Sequence, residues 1–225
     1  MQSSWLVQEN RSSCILFLAG WAMDPAPFRA IPAIDHDLLL VYDYRQVDPS
    51  AILTLTKQYG SLHLVAWSMG VWIAGSFFSA CKDRFASATA VNGTLTPIDD
   101  HGGIPPKAFA AMISGFSPAA LEGFYHDMFD RQDQAARFLR RKPRRTPESV
   151  LTELQTLQQM YGERGPGEDI FGRKVVGSRD RIFPARSQLH SWGKANCERI
   201  KAAHFPFYDW SSWDLIIGGG RDSCA

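Results

Sequence analysis

Apolar residues along the chain gather in runs of strand length, and the stretches between the runs repeat their apolar positions at helical spacing. The predicted strands are CILFLAG (14–20), LLLVYDY (38–44), LHLVAW (62–67), FASATAVN (85–92), RKVVGS (173–178) and CERIKAA (197–203). Several are apolar almost without alternation, which is the pattern of strands covered on both faces of a parallel sheet. PSAILTLTKQY (49–59), MGVWIAGSFFSACK (69–82) and ARSQLHSWGK (185–194) fall between strands and are predicted as crossover helices. The alternation predicts an α/β fold, a mostly parallel sheet flanked by helices.

The rhythm breaks between residues 94 and 167. TLTPIDDHGGIPP is followed by three helix-like stretches, KAFAAMISGF, PAALEGFYHDMFDRQDQAARFLRR and PESVLTELQTLQQMY, and GERGPGED closes the segment as a linker. The expected organisation is a core of residues 1–93 and 168–225 with a helical lid insertion, 94–167, over one end of the sheet. The tail GGGRDSCA reads as unstructured.

Composition narrows the picture only slightly. The chain has 225 residues and a formal net charge of +1, so nothing global argues for nucleic acid or an anionic membrane. Cys14, Cys81, Cys197 and Cys224 are scattered without metal-ligand spacing and read as reduced thiols. The N-terminus has no basic segment followed by an apolar run, so the expectation is a soluble, cytoplasmic monomer.

The chemistry centres on HLVAWSMGVW (63–72), where an apolar strand meets a helix at Ser68. A nucleophile elbow needs that junction and small residues two before and two after the serine; Ala66 and Gly70 stand there. A serine at this junction is also a common helix N-cap, which is the competing reading. The elbow reading requires an acid and a histidine later in the chain. Asp180 in GSRDRIFP follows a strand, with Asp169 and Asp99 as rival acids, and His204 in AAHFPF lies in a late loop. All three candidates, Ser68, Asp180 and His204, follow predicted strands, at the end where open α/β sheets bind ligands. After the first strand comes Ala19-Gly20-Trp21, a close turn whose Trp21 N–H is the candidate second oxyanion donor beside the Met69 N–H. Trp21, Trp67 and Phe124 are the expected pocket residues, among other aromatics (Phe109, Phe116, Phe129) that read equally as core.

LAGWAMD, HLVAWSMG, GSRDRIFP and AAHFPF, in this order and in so short a chain, resemble the α/β-hydrolase superfamily. Within it they resemble the pimeloyl-[acyl-carrier protein] methyl ester esterases of biotin synthesis, and the compact BioG group more than BioH. The resemblance implies hydrolysis of the methyl ester of a pimeloyl chain on acyl carrier protein by a serine hydrolase. Ser68 would be nucleophile, His204 base and Asp180 orienting acid, with no cofactor or metal. It also implies an acidic carrier protein as partner, and RFLRRKPRR (137–145) supplies a basic cluster to meet it: Arg137, Arg140, Arg141, Arg144 and Arg145. A general short-chain carboxylesterase or thioesterase, and a non-catalytic binding protein on the same fold, are the alternatives.

Overall fold

In a computed structural model of the chain, which describes residues 1–218, seven strands form one sheet in the order β1-β3-β2-β4-β5-β6-β7. The strands are β1 (Gln2–Val7), β2 (Ser13–Leu18), β3 (Asp37–Tyr42), β4 (Ser61–Trp67), β5 (Ser87–Val91), β6 (Arg173–Gly177) and β7 (Glu198–Ile200). From β3 to β7 every pairing is parallel; β1 lies antiparallel on β3. The near-continuous apolar runs are the strands buried on both faces: the side chains of Cys14 through Leu18 and of Leu38 through Val41 are fully covered.

The chain leaves β2 outward to β3, then crosses back to β4 on the other side of β2. The strand ends of β2 and β4 therefore flank a topological switch point, where loops diverge and leave a crevice. The helices are α1 (Pro49–Leu55), α2 (Met69–Phe77), α3 (Pro106–Ser114), α4 (Pro118–Asp127), α5 (Gln132–Leu139), α6 (Pro147–Arg164), α7 (Ala185–Trp192) and α8 (Trp213–Gly218). Four of them, α3 to α6, lie in the single connection between the neighbouring strands β5 and β6, which is the stretch read as an insertion. The fold class expected from the sequence is the one observed.

The departures have physical reasons. The sequence reading has no strand at β1, because QSSWLV is polar at its start and half-exposed, as an edge strand tolerates. The stretch predicted as one helix, 118–141, is two. Its break at Met128 and Phe129 is made by tertiary contacts: both side chains are buried, and the Phe205 N–H donates to Met128 O (3.2 Å). The expected strand 197–203 shortens to Glu198–Ile200, since the Ile200 and Ala202 carbonyls accept from the Ser178 and Arg179 N–H groups in the neighbouring loop. Helix 69–82 ends at Phe77 and continues as a 3₁₀ stretch, Ser79–Arg84. The tail read as unstructured lies, from residue 219 onward, outside the described residues, and so does Cys224. Cys14, Cys81 and Cys197 are free thiols, and burial pushes Cys14 up to about 12, so it is a core residue without nucleophilic character. Among the described residues no helix is long and apolar enough to cross a membrane.

An aromatic cluster supports the crevice from below. Phe28 stacks on Phe205 with 5.5 Å between centroids, and Phe17, Phe207 and Trp213 close around them. At the opposite end of the sheet Asp214 accepts from the Ile34 and Asp35 N–H groups and from His36 Nδ1, pinning α8 to the segment that leads into β3. Burial opposes the Asp214 charge, but those hydrogen bonds outweigh it and hold the carboxyl at about 2.

Candidate functional site

Ser68 occupies a backbone conformation that an L-residue rarely adopts, φ 58° and ψ −127°. The strain is held by what surrounds the turn. The Ser68 N–H donates to Val91 O at the end of β5 (3.1 Å), and α2 begins one residue later. A Cβ on Gly70 would lie 2.3 Å from Leu18 O and 2.6 Å from Ala19 O, so only glycine lets α2 start this close to β2. Two residues before the serine, Ala66 is fully buried in β4 and pairs with Leu18 and the small Ala90. Its single methyl fits where glycine is usual.

The N-cap alternative for Ser68 does not describe this serine: its side chain makes no capping bond. Oγ instead lies 3.0 Å from His204 Nε2, and His204 Nδ1 lies 2.9 Å from Asp180 Oδ2. Asp180 is well satisfied. Its Oδ1 accepts from the Ile182 and Phe183 N–H groups (2.9 Å each), and its Oδ2 also accepts from Gln188 Nε2 (3.0 Å). The rival acids are engaged elsewhere: Asp99 caps its own turn at His101 and Gly102, and Asp169 pairs with Lys174.

The imidazole is fixed as firmly as the acid. Phe183 stacks parallel to it at 6.0 Å and Trp67 packs at 5.1 Å. The His204 carbonyl accepts from Trp67 Nε1 (2.8 Å) and from Asn92 Nδ2 (3.0 Å). This corrects one expectation: Trp67 is buried against the histidine and is not among the residues that line the apolar cleft past Trp21. Asn92 is a residue the sequence reading missed. Its side chain accepts from the Gly177 N–H (2.6 Å) and donates to the carbonyls of Ala203 and His204, joining the acid loop to the histidine loop. A polar residue closing an apolar strand, at the end where the other candidates gather, was the available signal.

Gly20 brings the turn after β2 against the serine; a Cβ there would lie 3.0 Å from Ser68 Cβ. At the start of α2 the Met69 N–H has no intrahelical acceptor, as is general for the first turn of a helix. Past Trp21 opens a mostly apolar cleft of about 560 Å³, lined by Trp21, Met112, Phe116, Leu121, Phe124 and Ile182, with Asp127 and Arg181 among its polar residues. Phe109 and Phe129 lie in the core.

The basic run separates into different roles. Arg140, Arg141 and Arg144 share an open cleft with Arg29 and Asp24. Arg137 stacks on Tyr208, its guanidinium carbon 3.9 Å from the ring centroid. Arg145 is withdrawn from any docking surface, which corrects the expectation for it: its side chain is 8% exposed and bridges Asp43 (3.2 Å) and Glu153 (2.5 Å). Glu153 itself is fully buried and also accepts from the Tyr44 and Ala22 N–H groups. Burial pushes its carboxyl up, with Arg145 and those two N–H groups opposing. Sequence reasoning missed it, although it shares the apolar face of α6 with Val150, Leu154 and Leu157 and is the one charged side chain there.

The family described as "Pimeloyl-ACP methyl esterase BioG" matches residues 1–216. A Bacteroides fragilis protein named malonyl-[acyl-carrier protein] O-methyltransferase is 34% identical over 197 residues, which is 87% of this chain and 40% of that protein. The chain thus spans well under half the length of this relative. An uncharacterized Haemophilus influenzae protein is 31% identical over 90% of this chain and 93% of its own. The crystal structure of BioG from Haemophilus influenzae superposes with a TM-score of 0.84 at 28% identity, covering 96% of this chain and 100% of that one. An α/β hydrolase fold protein from Burkholderia ambifaria (TM-score 0.63, 17% identity, 92% and 88% covered) shares the fold.

One of these names corrects the activity expected from the sequence. That expectation is a serine hydrolase removing the methyl ester of pimeloyl-acyl carrier protein. The Bacteroides fragilis relative is named for O-methyl transfer to malonyl-acyl carrier protein, which makes a methyl ester. Against that name, the assignment of this chain as a hydrolase of the pimeloyl methyl ester does not stand.

Proposed function

The chain belongs to the family of the pimeloyl-ACP methyl esterase BioG, and on that membership and the geometry at Ser68 we propose that it is an acyl-transfer centre that forms an acyl-serine from an acyl group carried on acyl carrier protein, in the supply of a biotin precursor. The observation that carries the reading is the hydrogen-bonded series from Ser68 Oγ through His204 to Asp180, at 3.0 and 2.9 Å, on a strained turn. His204 with Nδ1–H held by Asp180 has Nε2 free to accept the serine proton. Ser68 Oγ attacks the acyl carbonyl, the N–H groups of Trp21 and Met69 receive the oxyanion, and His204 returns the proton to the leaving oxygen or sulfur. An acceptor bearing an O–H then takes the acyl group by the reverse steps, and the proton returns through His204 to Ser68. The cleft past Trp21 and Phe124 has the size and apolar lining for an acyl chain.

The fold's helical segment, residues 94–167, acts in this reading as a lid that carries the carrier-protein surface. Arg140, Arg141 and Arg144, with Arg29 beside them, form that surface. Reversing the charge of Arg140, Arg141 and Arg144 together is expected to lower kcat/KM for a carrier-bound acyl group by one to two orders of magnitude, roughly 1.4 kcal/mol per tenfold. Transfer from a small free acyl donor should be unchanged, and equal loss on both donors would overturn the docking surface.

The reading itself is tested by intact-mass analysis after mixing with acyl-loaded carrier protein. A mass increase equal to the acyl group, mapped to Ser68, supports it. Methylation of malonyl-acyl carrier protein by this chain that survives Ser68→Ala would overturn it.

A further inference from the structure

The turn that borders Ser68 is held mainly from the helical segment and only in part from the sheet. Ala22 is a non-glycine residue at φ 67°, a conformation alanine adopts only when its surroundings impose it. Its N–H donates to Glu153 Oε2 (3.2 Å) on α6, and its carbonyl accepts from Tyr125 OH (3.2 Å) on α4. Trp21 Nε1 donates to Val150 O (2.8 Å), also on α6. From the sheet side, Tyr44 OH donates to Ala19 O (2.8 Å), and the Tyr44 N–H donates to Glu153 Oε1 (2.9 Å). One buried carboxylate thus grips two backbone groups, one in the turn and one just past β3, while Arg145 balances its charge.

We propose that Glu153 is a positioning residue for the acyl-transfer centre, setting where the Trp21 N–H points by fixing the Ala22 N–H next to it. The inference rests on the acyl-serine reading of Ser68. Glu153 touches neither Ser68 nor His204, and its two N–H partners lie in loops at the C-terminal ends of β2 and β3. A donor to a forming oxyanion must be placed within a fraction of an ångström, so a turn released on one side loses rate in the chemical step more than in binding. α6 is accordingly part of the catalytic framework, and substrate entry is left to α3 and α4, which line the cleft.

The test uses Glu153→Gln and Glu153→Asp in the full chain. Glutamine keeps the length, but its amide nitrogen cannot accept the second N–H; aspartate keeps the charge and falls short by about one bond. Each is expected to lower the rate of Ser68 labelling by a fluorophosphonate, and kcat for acyl transfer from a chromogenic acyl ester to an added alcohol, on the order of 10- to 100-fold. KM should move less than about threefold, since the cleft is untouched. Asp214→Ala, which loosens the far end of the sheet, serves as the control for lost stability and should label at the wild-type rate. Variants that melt earlier yet label at the wild-type rate would show a purely structural role and overturn the proposal. Failure of the wild type to label at Ser68 would instead overturn the acyl-serine reading beneath it.

Discussion

Asp180→Asn is expected to slow acyl transfer by about four orders of magnitude while the protein stays folded. The hydrogen bonds at this side chain dictate the result. Oδ1 accepts from two backbone N–H groups, so an asparagine must turn its carbonyl oxygen to them. Its NH₂ then faces His204 Nδ1 and Gln188 Nε2, where the carboxylate had accepted. The imidazole answers by moving its proton to Nε2, and a protonated Nε2 cannot take the proton of Ser68. The loss should fall on kcat, because neither the cleft nor the arginine surface changes. Steady-state kinetics beside a melting curve check it. A variant that keeps more than about a tenth of the rate would mean that Asp180 does not set the tautomer.

Arg145→Met is expected to cost about 3–5 kcal/mol of stability, the usual penalty for removing one partner of a buried ion pair. At this chain length that lowers Tm by roughly 6–20 °C. The guanidinium is the one cation in direct ion-pair contact with the fully buried Glu153 among the described residues, whereas Asp43 keeps Arg45 (2.6 Å). Arg144→Met, one residue earlier and exposed, should shift stability by no more than about 0.5 kcal/mol. Thermal melts of the two variants side by side decide it; equal melting points would contradict the buried network.

These two residues also show what a sequence yields and what it withholds. The placement of Asp180 beside His204 was legible because elbow, acid loop and late histidine each leave a local trace: a strand, then a turn residue, then the candidate side chain. The sheet was legible because strands covered on both faces cannot hide their composition, whereas β1 covers only part of its surface and left no such trace. Arg145 looked like its neighbours because its difference is made by Asp43, far away in sequence just past β3, and by Glu153, which α6 turns back beneath it. Trp67 reads locally as an aromatic beside a nucleophile, and only the folded chain shows its indole N–H holding the His204 carbonyl. The break between α4 and α5 has the same origin, since Met128 and Phe129 would continue a helix but for Phe205 and the core beneath it. What the sequence held back are pairings between distant segments.

The family match and the superposition on a BioG crystal structure place the fold and the family; the chemistry at Ser68 is tested on the chain itself. The most direct measurement is intact-mass analysis of wild type and Ser68→Ala after exposure to acyl-loaded carrier protein, with peptide mapping of any adduct. The account predicts one acyl adduct on Ser68 of the wild type and none on the variant. Turnover of the carrier-bound acyl group with no adduct on Ser68, or undiminished turnover by Ser68→Ala, would contradict it.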